Sequence, residues 1–216
     1  MRRIDWRLCF IADSEAAGGR EILPLIVDAV EGGATLVQLR GKKWTSRKFL
    51  ELGVQAVRFL RAEKIPLIIN DRLDIALACE ADGVHLGQDD LPIHYARKLL
   101  GKNRMIGIST STLEEAEEAE KAGADYVGAG PVFGTLSKRD IGPLLGLEGL
   151  RAIREKVKIP ILAIGGLTAG NVGEVISAGA DGVAVISAIA AAANPKKAAA
   201  EIIESIKKHT GRGRGD

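Results

Sequence analysis

The sequence of 216 residues is poor in the residue types that carry much of enzyme chemistry, with two cysteines, three histidines and only 4% aromatic residues. Cys9 and Cys79 lack the spacing of a zinc site, and we interpret them as buried, reduced thiols, as is typical of a cytoplasmic protein. We interpret His85 as a packed interior residue, and His94 and His209 as helix-surface residues. Because no Ser–His–Asp pattern is visible, hydrolysis by a catalytic triad is disfavoured.

The chain also lacks an excess of charge of either sign and any long apolar run. Thirty basic and 28 acidic residues give a net charge of +2, so no global field favours nucleic acid or a membrane surface. No apolar run is long enough to span a bilayer, and the first residues contain too short an apolar stretch for a signal peptide. We therefore expect a cytoplasmic protein that binds neither nucleic acid nor membrane.

Short apolar runs, most of them separated by amphipathic segments, recur along the chain. This alternation indicates a parallel sheet covered by helices, and eight strands are the number that closes a barrel. We predict one (β/α)8 TIM barrel, a single domain over residues 1–209, with 210–216 as a flexible C-terminal tail. An open doubly wound sheet is the competing fold, but the first strand leads into no G-x-G-x-x-G turn. The predicted strands are Leu8–Ala12, Leu36–Leu39, Pro66–Ile69, Gly83–Leu86, Met105–Ile108, Tyr126–Ala129, Ile161–Ile164 and Val183–Ile186.

Polar residues follow several of these strands, at the end of the barrel where catalytic residues collect. Asp71 and one of Asp89 and Asp90 would come from adjacent strands, and carboxylates without His or Cys suit a hard cation such as Mg²⁺. Each charge taken alone could be a solvated loop residue, and it is their joint occurrence at successive strand ends that favours a site. Cations at the same rim would stabilise a departing phosphate group; they are Arg40, Lys42 and Lys138.

Two further segments at this rim have features of phosphate sites. Gly166 follows strand seven and Ser187 follows strand eight, the position of the recurring phosphate site of barrels. The alternative is that the glycines only form tight turns. The loop after strand six is long and carries two hydroxyls and a cation, Thr135, Ser137 and Lys138, as functional lids often do.

Seven segments in the same order resemble the thiamine-phosphate synthase (thiamine-phosphate pyrophosphorylase) family over nearly the whole chain, excluding the tail. They are VQLRGK, LIINDR, GVHLGQDD, IGIST, DYVGAGPVFGTLSK, AIGGLT and GADGVAVISAI. The resemblance implies a transferase of thiamine biosynthesis. Such an enzyme joins 4-amino-2-methyl-5-(diphosphooxymethyl)pyrimidine to a plain or carboxylated thiazole phosphate, releasing pyrophosphate by a dissociative route assisted by Mg²⁺.

The resemblance also assigns roles to individual residues. It implies that Asp71 and Asp90 hold Mg²⁺, Asp90 being chosen over Asp89 because the family's ligand lies two residues after the glutamine. The residues implied to hold the thiazole phosphate are Thr135, Ser137, Gly166, Ile186 and Ser187. Those implied to hold the pyrimidine diphosphate are Gln38, Arg40, Lys42, Asn70, Ser109 and Lys138, of which Arg40, Lys42, Ser109 and Lys138 are implied to be catalytic.

The chain departs from the family pattern at a few positions. Family members commonly have Glu at Gly41, His at Ser111, Pro at Gly134 and Thr at Ser137. Alternatives on the same barrel are a thiazole tautomerase-like or regulatory paralogue, a phosphate-ligand binder without activity, and a generic phosphosugar enzyme. The first is disfavoured because the diphosphate residues remain, and the last because no acid–base residue is found at the rim. Assembly into a homo-oligomer is left open.

Overall fold

The computed structural model describes residues 4–134 and 144–210, and in this part of the chain eight parallel strands form a closed barrel. Each strand pairs with the next in sequence, and β8 returns to pair with β1 through Leu8 and Val183. The predicted single-domain (β/α)8 TIM barrel is confirmed. The strands are β1 (Leu8–Asp13), β2 (Leu36–Arg40), β3 (Leu67–Asn70), β4 (Gly83–Leu86), β5 (Met105–Thr110), β6 (Tyr126–Ala129), β7 (Ile161–Ile164) and β8 (Gly182–Val185).

Four strands run further toward the carboxyl end of the barrel than the apolar pattern predicted. β1 includes Asp13, β2 includes Arg40 and β5 includes Ser109 and Thr110. β3 likewise ends at Asn70. These polar side chains are therefore fixed by the strand ladder, since they belong to the sheet and not to the loops that follow it.

Helices cover the outside of the barrel between the strands. The helix between β3 and β4 has only six residues, as the short spacing of those strands predicted. Two helices begin with a threonine cap, where Thr45 accepts the N–H of Lys48 and Thr112 accepts the N–H of Glu115. The helices are α1 (Ile22–Glu31), α2 (Ser46–Ala62), α3 (Leu73–Ala78), α4 (Ile93–Leu100), α5 (Leu113–Lys121), α6 (Gly146–Lys156), α7 (Val172–Ser177), α8 (Ser187–Ala190) and α9 (Pro195–Thr210).

The C-terminal helix ends next to the predicted domain boundary. α9 reaches Thr210, and residues 211–216 lie outside the described residues, so the boundary at 209 stays a prediction. His209 is half buried where α9 packs on α7, so its interpretation as a helix-surface residue was only partly right. His94 is exposed, as predicted. Among the helices of the described ranges, none has the length and apolar character needed to cross a bilayer.

The hydrophobic core has two layers, one between the strands and the helices and one inside the barrel. Cys9 lies in the inner layer and Cys79 in the outer one, and both are buried free thiols. Burial raises the pKa of Cys9 to about 12, so this thiol stays protonated and unreactive. The interior layer fills the lower barrel, which leaves the carboxyl ends of the strands to form an opening.

Candidate active site

A polar cavity opens at the carboxyl end of the barrel. It contains five of the residues that the family resemblance singled out: Gln38, Arg40, Asn70, Ser109 and Ile186. Gln38 and Arg40 are two apart on β2, so both side chains point to the barrel interior. The rest of the lining is His85 and Tyr126 with the small or apolar residues Ile11, Gly128, Leu162, Ile164 and Ala184.

Arg40 is held by a buried ion pair across β1 and β2. Its guanidinium donates to Oδ2 of Asp13, and the two side chains are 9% and 4% exposed. The other carboxylate oxygen of Asp13 accepts the backbone N–H groups of Glu15 at 2.9 Å and Ala16 at 2.8 Å. Because both carboxylate oxygens of Asp13 accept hydrogen bonds, the carboxylate has a fixed orientation, and it holds the Arg40 guanidinium in place. Sequence reasoning gave no role to Asp13, which lies one residue beyond the predicted first strand.

Two acidic side chains meet beside the cavity. Asp71 follows β3, and its backbone N–H donates to the carbonyl of His85 at 2.8 Å. Partial burial raises the pKa of the Asp71 carboxyl, and the neighbouring carboxylate of Asp90 raises it further. Lys42 and Arg40 oppose this rise, which brings Lys42 into electrostatic range of the same carboxylate.

This pair of carboxylates fits a divalent cation. A cation between the two carboxylates would offset the repulsion by which Asp90 raises the pKa of Asp71, and oxygen donors are what Mg²⁺ prefers. Asp90 is half buried and accepts the N–H of Gly87 at 2.6 Å, whereas Asp89 is exposed. Among the described residues, no group of three or more His, Cys, Asp and Glu side chains is placed so that it could hold a metal ion.

His85 connects two other residues of the cavity. Its Nε2 lies 2.9 Å from Oγ of Ser109, and its Nδ1 lies 3.0 Å from the hydroxyl of Tyr126. The interpretation of His85 as an interior residue is confirmed, since it is 8% exposed. The contact with Ser109 was missed. The parallel register could have suggested it, since His85 pairs with Gly107, two residues before Ser109 on the neighbouring strand.

The glycine turn after β7 approaches the loop after β6 closely. Gly165 and Gly166 have positive φ angles of 103° and 63°. A Cβ on Gly166 would lie 2.4 Å from the carbonyl oxygen of Gly134, so only glycine fits. Ser187 is exposed and begins α8, two residues after β8 ends at Val185. The predicted ligands Thr135, Ser137 and Lys138 lie outside the described residues.

Two departures from the family pattern take part in local packing. A Cβ on Gly41 would lie 1.9 Å from the ring of Trp44, so the ring occupies the space of a side chain at this position. Ser111 donates through its hydroxyl to Glu115 at 2.9 Å, and its N–H donates to the same carboxylate at 2.6 Å. Ser111 is therefore tied to α5, whereas the absence of a side chain at Gly41 leaves room for the Trp44 ring.

Comparison with known proteins identifies the family of the chain. Residues 8–189 match the family described as thiamine monophosphate synthase. The thiamine-phosphate synthase of Moorella thermoacetica is 49% identical over 207 residues, covering 96% of this chain and 99% of the relative. That of Clostridium novyi is 50% identical over 186 residues, covering 86% and 91%. The structure of thiamine phosphate pyrophosphorylase from Pyrococcus furiosus superposes with a TM-score of 0.87 at 42% identity, covering 95% and 97%. The chain therefore belongs to the thiamine monophosphate synthase family.

Proposed function

We propose that this chain is a thiamine-phosphate synthase. It condenses 4-amino-2-methyl-5-(diphosphooxymethyl)pyrimidine with a plain or carboxylated thiazole phosphate, giving thiamine phosphate and pyrophosphate. The observation that carries this proposal is the grouping of Arg40, Lys42, Asp71 and Asp90 at one side of a cavity that is otherwise neutral. Family membership supports the same reaction, and the two buried thiols support a cytoplasmic location.

The cavity suits a planar heterocycle with hydrogen-bonding edges. Gln38 and Asn70 offer amide donors and acceptors from neighbouring strands, and Ser109 offers a hydroxyl. Apolar side chains such as Ile11 and Leu162 line the remaining wall, which matches the faces of an aromatic ring. The pyrimidine therefore occupies the cavity, and its diphosphate extends toward Arg40 and Lys42.

The reaction breaks the bond between the pyrimidinylmethyl carbon and the diphosphate oxygen, and forms a bond from that carbon to the thiazole nitrogen. Negative charge grows on the leaving diphosphate as the first bond breaks, and Arg40 and Lys42 stabilise it. Asp71 and Asp90 would hold Mg²⁺, which when bound neutralises further charge on the leaving group. The carbocation that remains is stabilised by the pyrimidine ring, so no general base of the protein is needed.

The thiazole phosphate would bind across the cavity from the diphosphate. Gly166, Ile186 and Ser187 follow β7 and β8, where backbone N–H groups can donate hydrogen bonds to a phosphate in barrel proteins. Gly166 has no side chain that could obstruct a phosphate, and its φ of 63° and the close packing of Gly134 keep this position a glycine. Through the family resemblance alone, Thr135 and Ser137 are assigned to this thiazole phosphate, whereas Lys138 is assigned to the diphosphate.

A coupled assay of pyrophosphate release tests the proposal. Wild-type protein given both substrates and Mg²⁺ should release pyrophosphate in proportion to thiamine phosphate formed, and chelation of Mg²⁺ should stop both. Arg40→Met should lose turnover, whereas Arg47→Met, an exposed cation on α2, should behave as wild type. Binding of the substrates without release of pyrophosphate would instead identify a tautomerase-like or regulatory paralogue.

A further inference from the structure

Three side chains form a hydrogen-bonded chain from the interior of the barrel to the candidate site. The Tyr126 hydroxyl lies 3.0 Å from Nδ1 of His85, and Nε2 of His85 lies 2.9 Å from Oγ of Ser109. Tyr126 is 1% exposed and also packs on Trp6, with ring centroids 5.0 Å apart. The chain is therefore shielded from water at its inner end and reaches the cavity at its outer end.

Two glycines provide the space that these rings occupy. A Cβ on Gly107 would lie 2.1 Å from Cζ of Tyr126, and a Cβ on Gly128 would lie 3.1 Å from Cε1 of His85. Both glycines lie at positions of β5 and β6 that face the barrel interior, where β-branched side chains ordinarily fill the space. Because Gly107 and Gly128 have no side chains, the rings of Tyr126 and His85 have room to lie next to each other.

The position of each proton follows from burial. In the described part of the chain, the Tyr126 hydroxyl lies within hydrogen-bond distance of Nδ1 of His85. Burial raises the pKa of Tyr126 well above its ordinary value, so the phenol keeps its proton and needs an acceptor. Nδ1 is then the unprotonated nitrogen. A neutral imidazole with a bare Nδ1 carries its proton on Nε2, which donates to Oγ of Ser109.

We propose that Tyr126 and His85 are positioning residues that fix Ser109 as a hydrogen-bond donor to the pyrimidine substrate. Since Oγ of Ser109 already accepts from His85, its own proton points away from the imidazole and toward the cavity. This direction is opposite to that of a hydrolase, in which the histidine accepts the serine proton. The inference rests on the proposed function for the identity of the substrate, but the protonation of His85 does not depend on it.

Nitrogen NMR of the imidazole tests the protonation directly and without substrate. The chain has three histidines, so ¹⁵N-labelled protein gives few signals, and the His85→Gln spectrum identifies those of His85 by their loss. At neutral pH we expect an unprotonated Nδ1 and a protonated Nε2. In Tyr126→Phe this preference should be lost. A protonated Nδ1 in the wild-type protein would overturn the proposal, whatever the enzyme's activity.

A double-mutant cycle tests the effect on Ser109. Tyr126→Phe keeps the ring and should lower kcat/KM for the pyrimidine diphosphate about tenfold, the effect of one hydrogen bond in a site. KM for the thiazole phosphate should not change. In a Ser109→Ala background the same substitution should cost less than about twofold, because its route to the substrate is already removed.

Matched variants separate positioning from packing. Trp6→Phe alters the packing against Tyr126 without touching the hydrogen bonds, and should leave kcat/KM within about twofold of wild type. His85→Gln retains a donor toward Ser109 and should keep more activity than His85→Leu. Equal losses of kcat/KM for Tyr126→Phe in the wild-type and Ser109→Ala backgrounds would show that Tyr126 has a purely structural role. Wild-type protein that fails to release pyrophosphate would refute the proposed function instead, and the NMR result would still stand.

Discussion

The buried ion pair of Asp13 and Arg40 allows a quantitative prediction about the stability of the protein. Asp13→Asn removes the negative charge but keeps an oxygen that can accept the N–H groups of Glu15 and Ala16. The variant therefore leaves a guanidinium, 9% exposed in its side chain, without its counter-charge. Removing one partner of a buried ion pair costs about 3–5 kcal/mol of unfolding free energy, and the retained backbone bonds place the expected loss at about 3 kcal/mol.

Urea unfolding followed by circular dichroism measures this loss. With a slope of about 3 kcal/mol/M for a domain of this size, the unfolding midpoint should fall by about 1 M urea. Arg40→Met added to Asp13→Asn should recover part of the stability, because the unpaired charge is then removed as well. The matched control is Glu15→Gln, which breaks the exposed pair with Lys43 and should leave the midpoint unchanged.

The reasoning would be refuted by a midpoint for Asp13→Asn that equals the control. It would also fail if the double variant were less stable than Asp13→Asn alone, because the loss of stability in Asp13→Asn would then not come from an unpaired charge. The same protein samples should show slower pyrophosphate release for Asp13→Asn at equal folded fraction, since the carboxylate that orients Arg40 has changed.

Three further substitutions test the remaining parts of the site. Asp71→Asn, which suits the φ of 61°, should abolish Mg²⁺-dependent turnover. It should also raise the thermal midpoint of metal-free protein at neutral pH. The pKa of Asp71 is higher in the folded protein than its unfolded value of 3.8, so the ionised carboxylate destabilises the folded protein above that pH. The gain should fade as the pH falls below that value, and Asp89→Asn should show neither effect. Gly166→Ala should raise KM for the thiazole phosphate about tenfold or more with a smaller effect on the pyrimidine, and equal effects on both would contradict its role. Lys138→Ala should slow the chemical step more than it weakens thiazole phosphate binding, as single-turnover and binding measurements would show.

The barrel could be predicted from the sequence because its signals are local. Strands such as Tyr126–Ala129 and Ile161–Ile164 are short apolar runs between helices, and their bounds agree with the structure. The rim residues followed from the same pattern, since the carboxyl ends of parallel strands meet at one face. That is why Arg40 and Asp71 were expected at one rim, whereas Gln38, Asn70 and Ser109 were assigned by the family resemblance and do line the cavity.

The partners inside the cavity could not be predicted in the same way. Asp13 and Arg40 are 27 residues apart, and only the register of β1 against β2 brings them together. The contact of His85 with Tyr126 spans 41 residues and two strand pairings. An apolar pattern specifies which face of a strand is buried, but it does not specify which polar side chains share the interior.

The most direct test of the account is a crystal structure of the protein soaked with pyrophosphate and Mg²⁺. The account predicts a cation bound to the carboxylates of Asp71 and Asp90, and a diphosphate that bridges this cation to the guanidinium of Arg40. A diphosphate bound elsewhere in the barrel, with Asp71 and Asp90 holding no cation, would contradict it.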